Sequence, residues 1–127
     1  MNRVAAYVGH ERDAQTDGWE NIVTWQTLLS ADRTPTTALT IGTAEIAPAA
    51  PVEGAIHQHA DHEAYYFLRG VGAVHIDGVD HRVEPGSIVF VPGDARHFVR
   101  NTGDEPLKFV YVFGVDQFGD VEYRFAD

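Results

Sequence analysis

The chain contains no cysteine in its 127 residues, which excludes a disulfide framework, a thiolate metal site and a cysteine nucleophile. Basic residues are scarce too: nine Lys plus Arg stand against nineteen Asp plus Glu, a formal charge of −10. That sign repels phosphate backbones and anionic membrane surfaces, so nucleic acid is not an expected partner. No apolar run approaches the roughly 20 residues of a membrane span, and MNRVAAYVGHERDAQ lacks the apolar stretch of a signal peptide. No membrane partner is expected, and a cytoplasmic location follows by default. No segment keeps a helical hydrophobic period, and no internal repeat is visible.

What the chain does contain is a series of short apolar runs bounded by turn residues. NIVTWQTLL, ALTIGTAEIAP, the run from Ala55 to Leu68, GAVHIDG, HRV, SIVFVP, HFVRN and LKFVYVFGV each end at Gly, Pro, Asp or Asn. Even spacing of this kind predicts an all-β barrel or sandwich. Asp77–Gly78 has the composition of a two-residue hairpin turn, and Pro85–Gly86 marks the next reversal. The length suits one hydrophobic core, so a single domain is expected, with residues 1–20 as an N-terminal arm and 21–127 as the barrel.

Three of the seven histidines fall within HQHADHEAYYFLRG, residues 57–70. On a regular strand His57, His59, Glu63, Tyr65 and Phe67 share a face, which in a barrel is the interior. Two imidazoles and a carboxylate inside a barrel are costly unless a divalent cation compensates their desolvation. A second fragment, GSIVFVPGDARHFVRN at 86–101, supplies His97 at the start of a strand. Three imidazole nitrogens and one carboxylate oxygen suit one divalent transition metal: Fe, Ni, Mn, Zn or Co. His62, His75 and His81 lie outside that spacing and read as surface or turn residues, His62 alone being placed to face the site mouth. His10 carries no signal.

The spacings themselves are specific. His57, His59, Glu63 and Gly70 follow HxHx3Ex6G, while Gly86, Pro92, His97 and Asn101 follow Gx5Px4Hx3N, with residues 71–85 between them. These resemble the two motifs of the cupin superfamily, and the resemblance implies a double-stranded jelly-roll barrel. Two positions depart from the pattern: the leading glycine of the first motif stands nearer, as Gly54, and Asp94, beside Gly93, replaces the inner glycine of the second.

Over most of its length the chain is similar to the compact cupin lyases that split dimethylsulfoniopropionate into dimethyl sulfide and acrylate. AEIAP at 44–48, HQHADHEAY at 57–65, the second motif and FGVDQFGDVEY at 113–123 carry that likeness. It implies metal ligation by His57, His59, Glu63 and His97, catalytic roles for Tyr65 and Tyr123, and a small carboxylate substrate. A bound cation can take the substrate carboxylate while a tyrosine removes the adjacent proton. Tyr65 is the nearer base and Tyr123 its helper. Trp25, Phe67, Tyr111 and Phe113 are expected as aromatic walls for a sulfonium group. An iron dioxygenase acting on a small carbonyl compound or diol could use the same ligands, and a non-catalytic metal-binding sensor is a third reading. A sugar-phosphate isomerase is disfavoured, because Arg69, Arg82, Arg96, Arg100 and Arg124 form no cluster in sequence. Outward Tyr66 and Leu68, with the strand near Trp25, predict a homodimer.

Overall fold

The computed structural model describes residues 4–48 and 56–125. Gly54 and Ala55, which figured in the sequence motifs, lie outside the described residues. Among those described there are eleven strands and no α-helix: β1 (Thr16–Trp19), β2 (Val23–Leu29), β3 (Thr40–Ile46), β4 (His57–Gln58), β5 (Glu63–Arg69), β6 (Gly72–Ile76), β7 (Val79–Val83), β8 (Ile88–Val91), β9 (His97–Asn101), β10 (Leu107–Phe113) and β11 (Arg124–Phe125). They form a six-stranded sheet, β1-β2-β3-β10-β5-β8, and a five-stranded sheet, β11-β4-β9-β6-β7. Every pairing is antiparallel, which gives the expected all-β jelly roll. No helix among the described residues is long and apolar enough to cross a membrane.

Turn chemistry sets the register. Asp77 and Gly78 both have positive φ, 46° and 87°, as a type I′ hairpin between β6 and β7 requires. At the next reversal Gly86 has φ 94°, and Ser87 N–H donates to the Glu84 carbonyl at 2.9 Å, closing a turn in which Pro85 fixes the preceding φ. Asn101 ends β9: its amide donates to the carbonyls of Ile46 (2.9 Å) and Glu105 (2.8 Å), and its oxygen accepts from Gly103 N–H at 2.9 Å. The second motif's asparagine therefore ties the five-stranded sheet to β3 and to the turn before β10.

Two expectations change. The run from Ala55 to Leu68 is not one strand, because β4 pairs in the five-stranded sheet and β5 in the six-stranded sheet, with residues 59–62 crossing between them. Alternation nonetheless survives along β5, whose Glu63, Tyr65 and Phe67 are buried while Tyr66 and Leu68 are exposed. The segment expected to be an N-terminal arm also contributes β1, which pairs with β2 from Thr16↔Gln26 to Trp19↔Val23.

The core lies between the sheets, where Phe67, Val74, Val91, Leu107 and Phe113 are completely buried. A row across three strands shows how closely it is fitted. Thr27, Gly42 and Tyr111 are register partners, and the Tyr111 hydroxyl lies 2.8 Å from Thr27 Oγ1. Reaching it takes the Tyr111 ring across Gly42, where a Cβ would meet the tyrosine hydroxyl and the Gln26 carbonyl oxygen. Gly42→Ala is therefore expected to destabilise the protein by about 1–3 kcal/mol through overpacking. An unchanged urea midpoint would contradict this packing.

Candidate metal centre

The ligand set is assembled from both sheets. His57 and His97 are register partners on β4 and β9, His59 follows β4, and Glu63 opens β5 on the opposite sheet. One ligand atom from each of these four residues lies within 4.8 Å of the other three. His59, Glu63 and His97 are buried, and half-buried His57 is the ligand nearest solvent.

Local contacts join the two motifs. Asp94 N–H donates to the His59 carbonyl at 2.7 Å, and Gly93 N–H donates to His62 Nδ1 at 2.8 Å. A Cβ on Gly93 would strike the Ala60 carbonyl oxygen, so the 59–62 crossing and the 93–94 turn can approach this closely only with glycine there. Asp94 itself has φ 66°, in the left-handed region that favours glycine.

The protonation of this cluster decides its chemistry. His59 Nδ1 donates to the Asp61 carbonyl at 2.9 Å, and His97 Nδ1 donates to the Ala95 carbonyl at 2.8 Å. A carbonyl only accepts, so each Nδ1 carries its proton and each neutral ring turns a lone pair on Nε2 towards the centre. There the two Nε2 atoms face Glu63 Oε1, at 3.2 Å and 3.3 Å. Two acceptors opposed to a carboxylate oxygen, all buried, require either extra protons on the imidazoles or a cation among them. Burial pulls the His59 pKa down, but the hydrogen bond and charge of Glu63 outweigh it and leave the imidazole above its ordinary value. Burial likewise pushes Glu63 up, and the bonds from His59 and His97 hold it below the usual carboxylate range. The donor set, its closeness and this surplus of acceptors fit one divalent metal ion.

Both candidate catalytic tyrosines reach the cluster. Tyr65 donates its hydroxyl to Glu63 Oε1 at 2.9 Å, and Tyr123 packs its ring 5.1 Å from His57 and 5.2 Å from His59. Burial, then the Glu63 charge, pushes both phenols well above their ordinary pKa, so both are neutral without a cation.

The aromatic walls differ from expectation. Phe67 and Phe113 are sealed in the core, Tyr111 is tied to Thr27, and Trp25 packs against the core, although Phe113 does lie edge-on to His59 at 5.2 Å. The open side of the cluster is bordered instead by Phe118, Tyr123 and Phe125, stacked at 6.1 Å and 6.2 Å with interplanar angles of 21° and 20°. Phe125 is 61% exposed and its ring sits 5.8 Å from His57. Sequence reasoning missed Phe118 and Phe125, because a 3₁₀ turn at Phe118–Asp120 and a two-residue strand leave no periodic signal.

The remaining histidines stand apart. His75 Nδ1 lies 2.8 Å from Asp80 with its ring stacked on Phe98 at 4.9 Å, His81 is exposed, and His62 binds Gly93 while its ring packs 5.2 Å from Phe90.

The cupin domain family matches residues 42–113, the interval that contains all four clustered residues. The chain is a cupin. It is 36% identical over 111 residues to the dimethylsulfoniopropionate lyase DddW of Ruegeria pomeroyi, covering 87% of this chain and 71% of that protein. An oxalate-binding protein of Thermotoga maritima is 29% identical over 103 residues, covering 80% of this chain and 84% of that one. Among solved structures, the polyketide cyclase RemF of Streptomyces resistomycificus superposes with a TM-score of 0.76 at 17% identity, covering 97% of this cupin and 87% of RemF, a likeness of fold.

Elemental analysis of this cupin is expected to show about one equivalent of divalent metal, the value for a single closed cluster. The double variant His57→Ala, His59→Ala should lose it, and equal occupancy would overturn the assignment. Because metal must displace the tightly held proton of His59, affinity should fall as pH drops through its raised pKa. Cobalt titrations that gave one affinity from about pH 5 to pH 8, across the imidazole range, would contradict that linkage.

Proposed function

We propose that this cupin is a metal-dependent lyase acting on a small carboxylate, with dimethylsulfoniopropionate as the leading substrate. The observation that carries this reading is the placement of two phenols directly on a three-histidine, one-carboxylate cluster. The 36% identity to a dimethylsulfoniopropionate lyase supports the substrate, and the oxalate-binding relative supports the small-carboxylate class.

A divalent cation held by His57, His59, Glu63 and His97 would bind the substrate carboxylate, stabilise charge developing beside it and offset the Glu63 charge that adds to burial in keeping Tyr65 protonated. Tyr65 is the base: its phenolate takes the proton alpha to the carboxylate. The carbon–hydrogen electron pair becomes the new carbon–carbon double bond as the carbon–sulfur bond breaks, leaving acrylate and neutral dimethyl sulfide. Tyr123, over His57 and His59, orients the substrate and shields the proton transfer from water. The exposed Phe125 ring gives the onium end an aromatic face.

Metal-loaded protein is expected to release dimethyl sulfide into the headspace without consuming oxygen. Release no greater than from metal-free protein, tested with Fe, Mn, Ni, Co and Zn, would reject the substrate, whereas oxygen uptake would indicate a dioxygenase. Tyr65→Phe should lower activity about 10²-fold or more, as for loss of a general base, with metal content unchanged.

The same reading includes a homodimer. Tyr66 is the register partner of Ile88 on β8 and of Val110 on β10, so an apolar row crosses the outer face to β8, the last strand of its sheet among the described residues. Ile88 is 70% exposed, and Tyr66, Leu68 and Phe90 are exposed beside it. Trp25, expected to extend that surface, packs against the core instead. A second copy covers both the apolar row and the edge. Light scattering should give twice 14.0 kDa for the wild type and a monomer for Ile88→Glu. A monomeric wild type would remove the dimer from this account.

A further inference from the structure

We infer that the Asp94–Arg124 ion pair is a latch that holds the C-terminal strap, and Tyr123 with it, across the open side of the metal cluster. Asp94 stands where the family motif has glycine. Its backbone makes contacts that need no side chain: it takes a left-handed φ of 66°, which favours glycine, its N–H donates to the His59 carbonyl at 2.7 Å, and its carbonyl accepts from Gln58 Nε2 at 3.4 Å. The carboxylate is what aspartate adds, and it accepts from Arg124 Nη2 at 2.6 Å. Arg124 directly follows Tyr123.

The strap is held very differently at its two ends. At the start, Asp116 accepts from Thr37 Oγ1 at 2.9 Å and Ala38 N–H at 2.7 Å, its carbonyl accepts from Ala31 N–H at 2.7 Å, and Phe118 N–H donates to Ser30 Oγ at 3.0 Å. Thr40 Oγ1 adds a bond to the Val115 carbonyl at 3.0 Å. Towards the far end, among the described residues, Val121 is buried in the core, the Tyr123 ring packs on His57 and His59, Phe125 stacks beside it, and the chain is joined to its neighbours by the register pairs Arg124↔Gln58 and Phe125↔His57 and by the ion pair. Gly119 lies between, with open space around it. One end is thus anchored by several directional side-chain bonds, whereas beyond Tyr123 the described far end carries one directional side-chain bond, the exposed pair, beside ring packing and two residues of strand. Both charged side chains are more than half exposed, so the pair is weak and screened by salt. A weak contact of that kind suits a segment that opens for substrate or product and closes again, making Asp94 and Arg124 positioning residues for Tyr123.

The test separates latching from folding and from the choice of substrate. Cobalt-loaded protein is mixed with excess EDTA and the loss of visible absorbance is timed. Amide exchange over residues 121–125 is measured by mass spectrometry on metal-free protein, so the latch is read even if cobalt binds elsewhere. Asp94→Gly, Asp94→Asn and Arg124→Gln should each speed both processes about two- to fivefold, the range of an exposed pair. The double variant Asp94→Asn, Arg124→Gln should be no faster than either single change. High salt should speed the wild type and leave these variants unchanged. Arg33→Gln, which removes the remote 3.1 Å pair with Asp17, should have no effect. Asp94→Gly should still fold and melt cooperatively, since glycine accepts the left-handed φ without strain. Single variants that strip and exchange at the wild-type rate would overturn the latch, as would additive effects in the double variant.

Discussion

A single carboxylate oxygen sets the terms for the interior of this barrel. Glu63 Oε1 receives the Tyr65 hydroxyl and is faced by the Nε2 atoms of His59 and His97, both of which have spent their Nδ1 protons on backbone carbonyls. The carbonyls of Asp61 and Ala95 thereby choose the tautomers, and the tautomers create a buried pocket of lone pairs around negative charge. Such a pocket is stable only with positive charge at its centre. Burial keeps Tyr65 and Tyr123 neutral, and the same Glu63 charge adds to it in pushing both phenols up. Metal affinity, proton release and tyrosine ionisation are one coupled property here.

The fold serves that arrangement by bringing two opposed sheets together at one point. The five-stranded sheet and the turn beyond it supply the imidazoles, and the six-stranded sheet supplies the carboxylate. What keeps them in register is the contact between the two motif turns, where Asp94 N–H meets the His59 carbonyl and Gly93 lies against Ala60. Some motif positions thus act through backbone geometry. Gly86 turns the chain with φ 94°, Gly93 permits a close approach, and Asn101 satisfies three backbone groups, one on β3 and two in the turn before β10.

Much of this was legible in the sequence because it depends on local rules. Asp77–Gly78 and Pro85–Gly86 name their turns, the alternation of Glu63, Tyr65 and Phe67 names the inner face, and the two histidine spacings name the four clustered residues. What escaped depends on tertiary contact. TDGW carries no alternating pattern, and β1 is an edge strand with three of its four residues exposed, so its pairing with β2 leaves little trace. The crossing of residues 59–62 between sheets preserves parity while breaking the strand, which no periodicity can register. Phe118, Tyr123 and Phe125 come together through a 3₁₀ turn and a two-residue strand, and Trp25 is drawn into the core by its neighbours. The partner that Arg124 finds in Asp94 is thirty residues away in sequence, where spacing carries no information.

The central claim is that a cation resolves the surplus of acceptors at Glu63, and X-ray absorption at the edge of the bound metal reads this directly. The account predicts a first shell of nitrogen and oxygen atoms at about 2.0–2.2 Å, with outer-shell scattering from three imidazoles. A spectrum of oxygen ligands alone, without imidazole scattering, would contradict it.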